Sequence, residues 1–138
     1  MNDKLKFLFI DQNAAFNFFA ENVIELDCLP IKARFELNPD RSLHHLRSCE
    51  ARDFPRVIIA EINMPLYNGF EFADRFSAEF AAMHPDCLLF LTSNMEKRKY
   101  IQQIEAHPAI AGFLRKPFSK KSFEKVIQPQ LSTVAVGS

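Results

Sequence analysis

Glycine is scarce in this chain: Gly69, Gly112 and Gly137 are the only three in 138 residues. Loops that wrap backbone amides around a phosphate need glycine at several fixed spacings, so a P-loop or a dinucleotide fingerprint is not expected. Tryptophan is absent, and two tyrosines stand beside 15 phenylalanines, which points to a core built on Phe. Cysteine is sparse, odd in number and dispersed, at Cys28, Cys49 and Cys87. No C-x-x-C occurs, and no histidine stands at zinc-ligand spacing from any of the three. They read as reduced, structural cysteines of a cytosolic protein. Charge of one sign is lacking too: 17 basic residues meet 17 acidic ones. That balance does not ask for nucleic acid or an anionic membrane as a partner. Long hydrophobic runs are missing. In "MNDKLKFLFIDQN" the apolar run is Phe7 to Ile10, too short for a signal-peptide core, and no stretch approaches a membrane span. A soluble, cytoplasmic protein is expected.

What is present suits one ordinary domain with a real core, since 48% of the residues are hydrophobic. Apolar strand candidates at 6–10, 31–37, 56–62, 87–92 and 112–116 alternate with helical stretches at 13–27, 40–52, 70–84, 96–107 and 119–128. In the first helix, Phe16, Phe19, Val23 and Leu26 fall on one face, with Asn13 as N-cap. Asp40 is the candidate cap of the second. In the third, Phe72, Phe76, Phe80 and Met83 form a stripe. The fourth is mostly polar, with Tyr100, Ile101 and Ile104 inward. The last is capped by Ser119 and ends near Pro129. A single domain over 1–131 and a frayed tail over 132–138 are expected. Strict alternation implies an α/β fold: an open parallel sheet with helices on both faces, in three layers.

In such sheets the ligand crevice lies beyond the carboxyl ends of the strands. The stretch "VIIAEINMP", 57–65, is therefore telling: a strand buried on both faces runs straight into a carboxylate, Glu61. A buried charge must reach water, a cation or a hydrogen-bond donor. The first strand ends in Asp11-Gln12, the fourth in Thr92-Ser93, the fifth in Lys116-Pro117. Two acids, a hydroxyl and an ammonium thus converge on one rim, a set able to hold a hard divalent cation and a phosphoryl group.

"FLFIDQN", "VIIAEINMPLYNG", "LLFLTSN" and "GFLRKPF" together resemble the receiver domain of two-component response regulators, in order and spacing, over residues 4–128. The M-P-x-x-x-G turn (Met64, Pro65, Gly69) and the K-P-F segment (Lys116, Pro117, Phe118) are the most specific matches. The resemblance implies a flavodoxin-like, doubly wound (βα)5 sheet with strand order 2-1-3-4-5. It also implies phosphoryl transfer from a histidine kinase to an aspartate at the end of the third strand, with magnesium. Carried over residue by residue, Asp11 is the first of the family's acidic pair and Asn63 supplies a backbone carbonyl to the metal. Thr92 and Lys116 grip the phosphoryl oxygens, and Phe113 is the switch aromatic.

Two positions depart from that pattern. Gln12 stands where the second acid belongs, and Glu61 stands at the phosphoacceptor position, one methylene longer than aspartate. Both changes weaken magnesium, which demands oxygen donors in near-ideal geometry, and the extra methylene of Glu61 also displaces the nucleophile. The resemblance then implies a stand-alone, atypical receiver, not an enzyme, that signals through protein–protein contacts. Its partner would be a sensor histidine kinase or another signalling protein. The fourth helix, fifth strand and last helix would be the docking or homodimer face. Glu61 pairing with Lys116 would imitate part of the phosphorylated state; the plainer alternative is drift. A second reading keeps a magnesium-dependent receiver phosphorylated on Asp11 or Glu61. A flavodoxin-like small-molecule binder is disfavoured by the missing phosphate loop. His44-His45 and "EKRK" (96–99) read first as wet helix faces, His84 and His107 as helix-end residues, and Phe113 equally well as core. A cis bond before Pro117 is open.

Overall fold

The computed structural model describes the backbone of residues 4–137 and the side chains of residues 4–130. Strands β1 (Leu5–Ile10), β2 (Ile31–Glu36), β3 (Val57–Glu61), β4 (Leu88–Ser93) and β5 (Ile110–Arg115) alternate with five helices. These are α1 (Ala14–Leu26), α2 (Pro39–Ser48), α3 (Gly69–Phe76), α4 (Ile101–Ala106) and α5 (Lys120–Gly137). The strands form one parallel sheet in the order β2-β1-β3-β4-β5. Parallel neighbours need crossover connections, and the helices supply them on both faces. The three-layer parallel sheet is the one the alternation implied, and its doubly wound, flavodoxin-like strand order is the one the resemblance implied.

The pleat divides the core in two. Phe7 and Phe9 of β1 join Ala20, Ile24, Phe123, Val126 and Ile127 beneath α1 and α5. Leu8 and Ile10 join Leu43, Leu46, Phe72, Phe76 and Ile104 beneath α2, α3 and α4. Central β3 is buried along its whole length, so it reads as an unbroken apolar run.

Several local expectations give way to tertiary packing. In α1 the buried residues are Asn17, Ala20 and Ile24, not the expected Phe19 and Leu26, which are 46% and 82% exposed. Phe16 and Val23 pack at the margin of the core. The Asn17 side-chain amide donates to the Asp11 carbonyl at 3.0 Å. That bond turns a polar position inward and carries Phe19 and Leu26 out. In the third helical stretch Phe72, Phe76 and Phe80 are buried as expected, but Met83 is 77% exposed. A π-helical turn over Ser77–Ala81 widens the helix there, so the residue that follows Phe80 inward is His84, stacked on Phe54 at 3.5 Å.

Asn38, not Asp40, caps α2, accepting from the Arg41 amide at 2.8 Å; Asp40 instead accepts from the Tyr67 hydroxyl at 2.9 Å. The fourth helix is shorter than its pattern, because residues Lys97–Lys99 form a 3-10 turn before it. Asn13 and Ser119 cap as expected, accepting from the amides of Phe16 and Ser122. The last helix continues through Pro129 to Gly137 rather than ending beside the proline. The expected tail, 132–138, lies outside the residues whose side chains are described.

Candidate functional site

The parallel register puts the predicted residues at one edge of the sheet. Glu61, the last residue of β3, pairs in register with Thr92 of β4. Thr92 in turn lies beside Leu114 of β5, so the chain emerging from β5 at Lys116 starts one strand beyond the hydroxyl. The Lys116 amide donates to the Ser93 carbonyl at 2.9 Å, which fixes that exit, and the Lys116–Pro117 bond is cis. Asp11 leaves β1 with its own amide on the Glu36 carbonyl at 3.1 Å.

Gly69 is what lets β3 and α3 meet here. A Cβ at this position would lie 2.8 Å from the Glu61 carbonyl oxygen and 3.0 Å from the Ile62 Cα, and the Gly69 amide donates to the Ile62 carbonyl at 2.8 Å. Pro65 precedes Leu66, whose φ of 73° lets the Tyr67 amide reach the Pro65 carbonyl at 2.9 Å. That tight turn sends Tyr67 into the core and leaves Leu66 in solvent.

At the edge the Lys116 ammonium reaches both acids. Its Nζ lies 2.5 Å from Asp11 Oδ2 and 2.8 Å from Glu61 Oε2, and the three side chains are only 11%, 4% and 8% exposed. The Phe16 ring lies under the ammonium, 4.3 Å from it. Asp11 Oδ1 accepts from the Asn13 amide at 2.9 Å, and Glu61 Oε1 accepts from the Asn63 amide at a longer 3.4 Å. One cation thus faces two buried carboxylates. Burial pushes the Glu61 carboxyl above its ordinary range, against the opposing pull of Lys116, and the Asp11 charge pushes it further the same way.

The other site residues are placed less evenly. Thr92 is 2% exposed, and its Oγ1 has no hydrogen-bond partner among the described residues. Gln12 is exposed, and its amide nitrogen makes a long 3.5 Å contact to the Asn63 carbonyl. Phe113 is half-buried, packed against the α2–α3–α4 side of the core, with its ring 6.3 Å from that of buried Tyr100. The edge therefore brings Asp11, Glu61 and Lys116 into contact, sets Thr92 beside them in register, and leaves Gln12 at the rim.

Magnesium, which the family resemblance implies, would draw on oxygens of Asp11 and Glu61 and on the Asn63 carbonyl. The two carboxylate oxygens face an ammonium, and the carbonyl faces an amide N–H. As they stand these residues do not fit a hard divalent cation. Among the described residues no three His, Cys, Asp or Glu side chains gather as metal ligands would.

Sequence reasoning placed Phe16 on the apolar face of the first helix rather than at the site, and did not single out Asn17. Both lie on α1 immediately after the acid, and a polar residue inside an apolar helical face was the available signal for Asn17. The histidines lie away from this edge: His107 contacts Asp74 at 2.7 Å and His45 contacts the Cys49 sulfur at 3.5 Å. The three cysteines are free, with Cys28 exposed. No helix among the described residues is long and apolar enough to cross a membrane.

An open parallel sheet in this strand order, with acids, hydroxyl and lysine at its carboxyl edge, defines the receiver class of fold. Solved structures of the same architecture agree. A two-component response regulator from Cytophaga hutchinsonii matches with a TM-score of 0.85 at 22% identity, over 94% of this chain and 98% of its own. A response regulator receiver protein from Dyadobacter fermentans matches with a TM-score of 0.78 at 27% identity, over 91% and 96%. The chemotaxis response regulator CheY4 of Vibrio cholerae matches with a TM-score of 0.72 at 18% identity, over 91% and 98%. No family model and no curated protein matches the chain. The structural relatives are receiver domains of two-component response regulators, and this chain has their fold.

Proposed function

We propose that the chain is an atypical receiver of phosphorelay signalling that does not accept phosphate at position 61 and works through protein–protein contacts. The observation that carries this reading is the Lys116 ammonium, within ion-pair distance of both Asp11 and Glu61. The longer Glu61 side chain offers Lys116 a negative oxygen in the space a phosphoryl oxygen would use. It therefore imitates part of the phosphorylated state, but only part, because the Thr92 hydroxyl stays unengaged. Magnesium is held weakly or not at all, since the ammonium competes for the same oxygens. The protein is a cytoplasmic signalling module rather than an enzyme, and its partner is a sensor histidine kinase or another signalling protein. The partner docks on α4, β5 and α5. Lys97, Lys99 and Arg115 are exposed there beside Glu96 and Glu105, a mixed-charge surface, and the same face could serve a homodimer.

Mass spectrometry after acetyl phosphate and magnesium tests the first clause. The wild-type chain is expected to gain no stable phosphoryl group, and Gln12→Asp/Glu61→Asp is expected to gain one. A wild-type gain that disappears on Asp11 or Glu61 substitution would instead make this a phosphorylatable receiver, with Thr92 completing the grip. Imitation is tested by binding of the cognate kinase to Glu61→Gln and Glu61→Asp; unchanged affinity in both removes it.

A further inference from the structure

The amino edge of the sheet, opposite the carboxylate site, holds a cleft of about 760 Å³ with an uneven charge. Lys4, Lys6, Lys32, Arg52 and Arg56 line it, against the single carboxylate of Asp86. Sheet register brings three of the cations together. Lys6 of β1 stands beside Lys32 of β2, and the Arg56 amide, just before β3, donates to the Lys6 carbonyl at 2.8 Å. Neighbouring strands lie about 4.8 Å apart, so the three start from adjacent positions across the edge. Their repulsion is offset only in part. Lys6 pairs with Asp53 at 2.9 Å and Arg52 with Glu50 at 3.2 Å, while among the described residues Lys4, Lys32 and Arg56 stand in no ion pair. Arg56 is positioned through its Nε, which donates to Gln130 Oε1 at 2.9 Å and leaves the terminal nitrogens for a ligand. Helix C-termini attract cations to their own last turns, but these side chains start from strands and from the chain entering β3, so the helix dipole does not account for them. The cleft also has an aromatic wall. Half-buried His84 stacks on Phe54 with ring centroids 3.5 Å apart, beside exposed Met83.

We propose that this cleft binds a nucleoside di- or triphosphate, with its phosphates on Lys6, Lys32 and Arg56 and its base against His84 and Met83. A cleft lined by charge of one sign focuses the field and concentrates counter-ions. Arginine's planar fork and lysine's ammonium both hold phosphate oxygens, so side chains here do what a glycine-rich loop does elsewhere. The volume falls in the range of small-molecule sites, whereas an acidic peptide binds along an extended groove. The aromatic wall gives a flat base a surface to stack on, which inorganic phosphates cannot use. Open α/β sheets bind ligands at the carboxyl edge; this cleft lies at the other, so charge and not topology marks it. None of Asp11, Glu61, Thr92 and Lys116 lines the cleft, and the inference stands apart from the phosphorylation state of position 61.

The probes are ADP, adenosine, pyrophosphate and an oligoglutamate peptide. Each is titrated without magnesium into the isotope-labelled full chain and followed by amide NMR. ADP is expected to shift amides within 4–6, 31–33, 52–56 and 83–87, and to bind about tenfold or more tighter than the other three. Lys4→Glu/Lys32→Glu should weaken ADP by about tenfold or more; both side chains are exposed, and the unperturbed remainder of the spectrum reports that the variant is folded. His84→Ala should weaken ADP and leave pyrophosphate unchanged, a split that loss of the fold would not produce. Shifts centred on residues 11–13 and 61–63, equal binding of ADP and pyrophosphate or of ADP and the peptide, full ADP affinity in the Lys4→Glu/Lys32→Glu variant, or no shift at millimolar ADP would each overturn the proposal.

Discussion

At the residue scale, the molecule turns on Lys116. A buried cation between two buried carboxylates is tolerated because each charge offsets the desolvation of another. Removing the cation leaves two like charges without compensation. Lys116→Met is therefore expected to destabilise the fold by about 3–5 kcal/mol in urea denaturation, within the range for breaking a buried pair. Adding Glu61→Gln to that variant should recover part of the loss, because one of the stranded charges is gone; strict additivity would show that the two side chains are not coupled.

Glu61 also shapes the pH response. Its carboxyl binds a proton more tightly in the folded chain than at its ordinary value of 4.5. Folded protein therefore holds more protons than unfolded chain just above that pH, and the Glu61 contribution falls as pH rises through the window. Below 4.5 the folded and unfolded carboxyls are both protonated and the contribution levels off. Stability curves of wild type and Glu61→Gln are expected to diverge upward from about pH 4.5, with the wild type losing ground. Parallel curves would show that the burial of Glu61 is fully offset by Lys116. Cysteine follows the same logic: burial pushes the Cys87 thiol up to about 12, so exposed Cys28 should react with a disulfide reagent at pH 8 long before Cys87 does.

At the scale of elements, the close approach of α3 to the end of β3 is what aims Glu61. Gly69 is required there for space, not for a left-handed backbone. Gly69→Ala forces a methyl against the Glu61 carbonyl and the Ile62 Cα, both main-chain atoms that cannot swing aside. A loss of about 1–3 kcal/mol is expected, the range for overpacking, with amide shifts concentrated at residues 61–63. The M-P-x-x-x-G spacing was therefore legible as a turn, and Gly69 as its end. The reason for the glycine was not, because the atoms it avoids belong to the last residue of β3 and the one after it, eight and seven residues back. Helix faces show the same limit. The periodicity of α1 pointed to the face of Phe16, Phe19, Val23 and Leu26, and the hydrogen bond from Asn17 to the Asp11 carbonyl accompanies a rotation to a neighbouring face with fewer large apolar residues. Met83 left its stripe because a π-turn changed the number of residues per turn, something no fixed helical period anticipates.

At the scale of the whole molecule, metal binding and stability are linked. A ligand that binds only the folded chain stabilises it by RT ln(1 + [L]/Kd). With Lys116 engaging both acids, millimolar magnesium is expected to leave the wild-type melting temperature unchanged. In Gln12→Asp/Glu61→Asp the added carboxylate and the shorter side chain reopen the donor set, and the melting temperature should rise with magnesium. An equal rise in both proteins would mean that the ammonium is readily displaced.

The sequence by itself determined the architecture, because strict strand–helix alternation with buried apolar strands admits little besides an open parallel sheet with both faces covered. It also determined which residues stand at strand ends, and hence that Asp11, Glu61, Thr92 and Lys116 share one edge. Only the tertiary structure decided how those side chains are paired and which face of α1 is left to solvent. Those outcomes depend on distances of a few ångströms between residues dozens of positions apart: where the ammonium settles between two acids, and which rotation of a helix satisfies a buried carbonyl. Periodicity carries no information at that range; register and packing do.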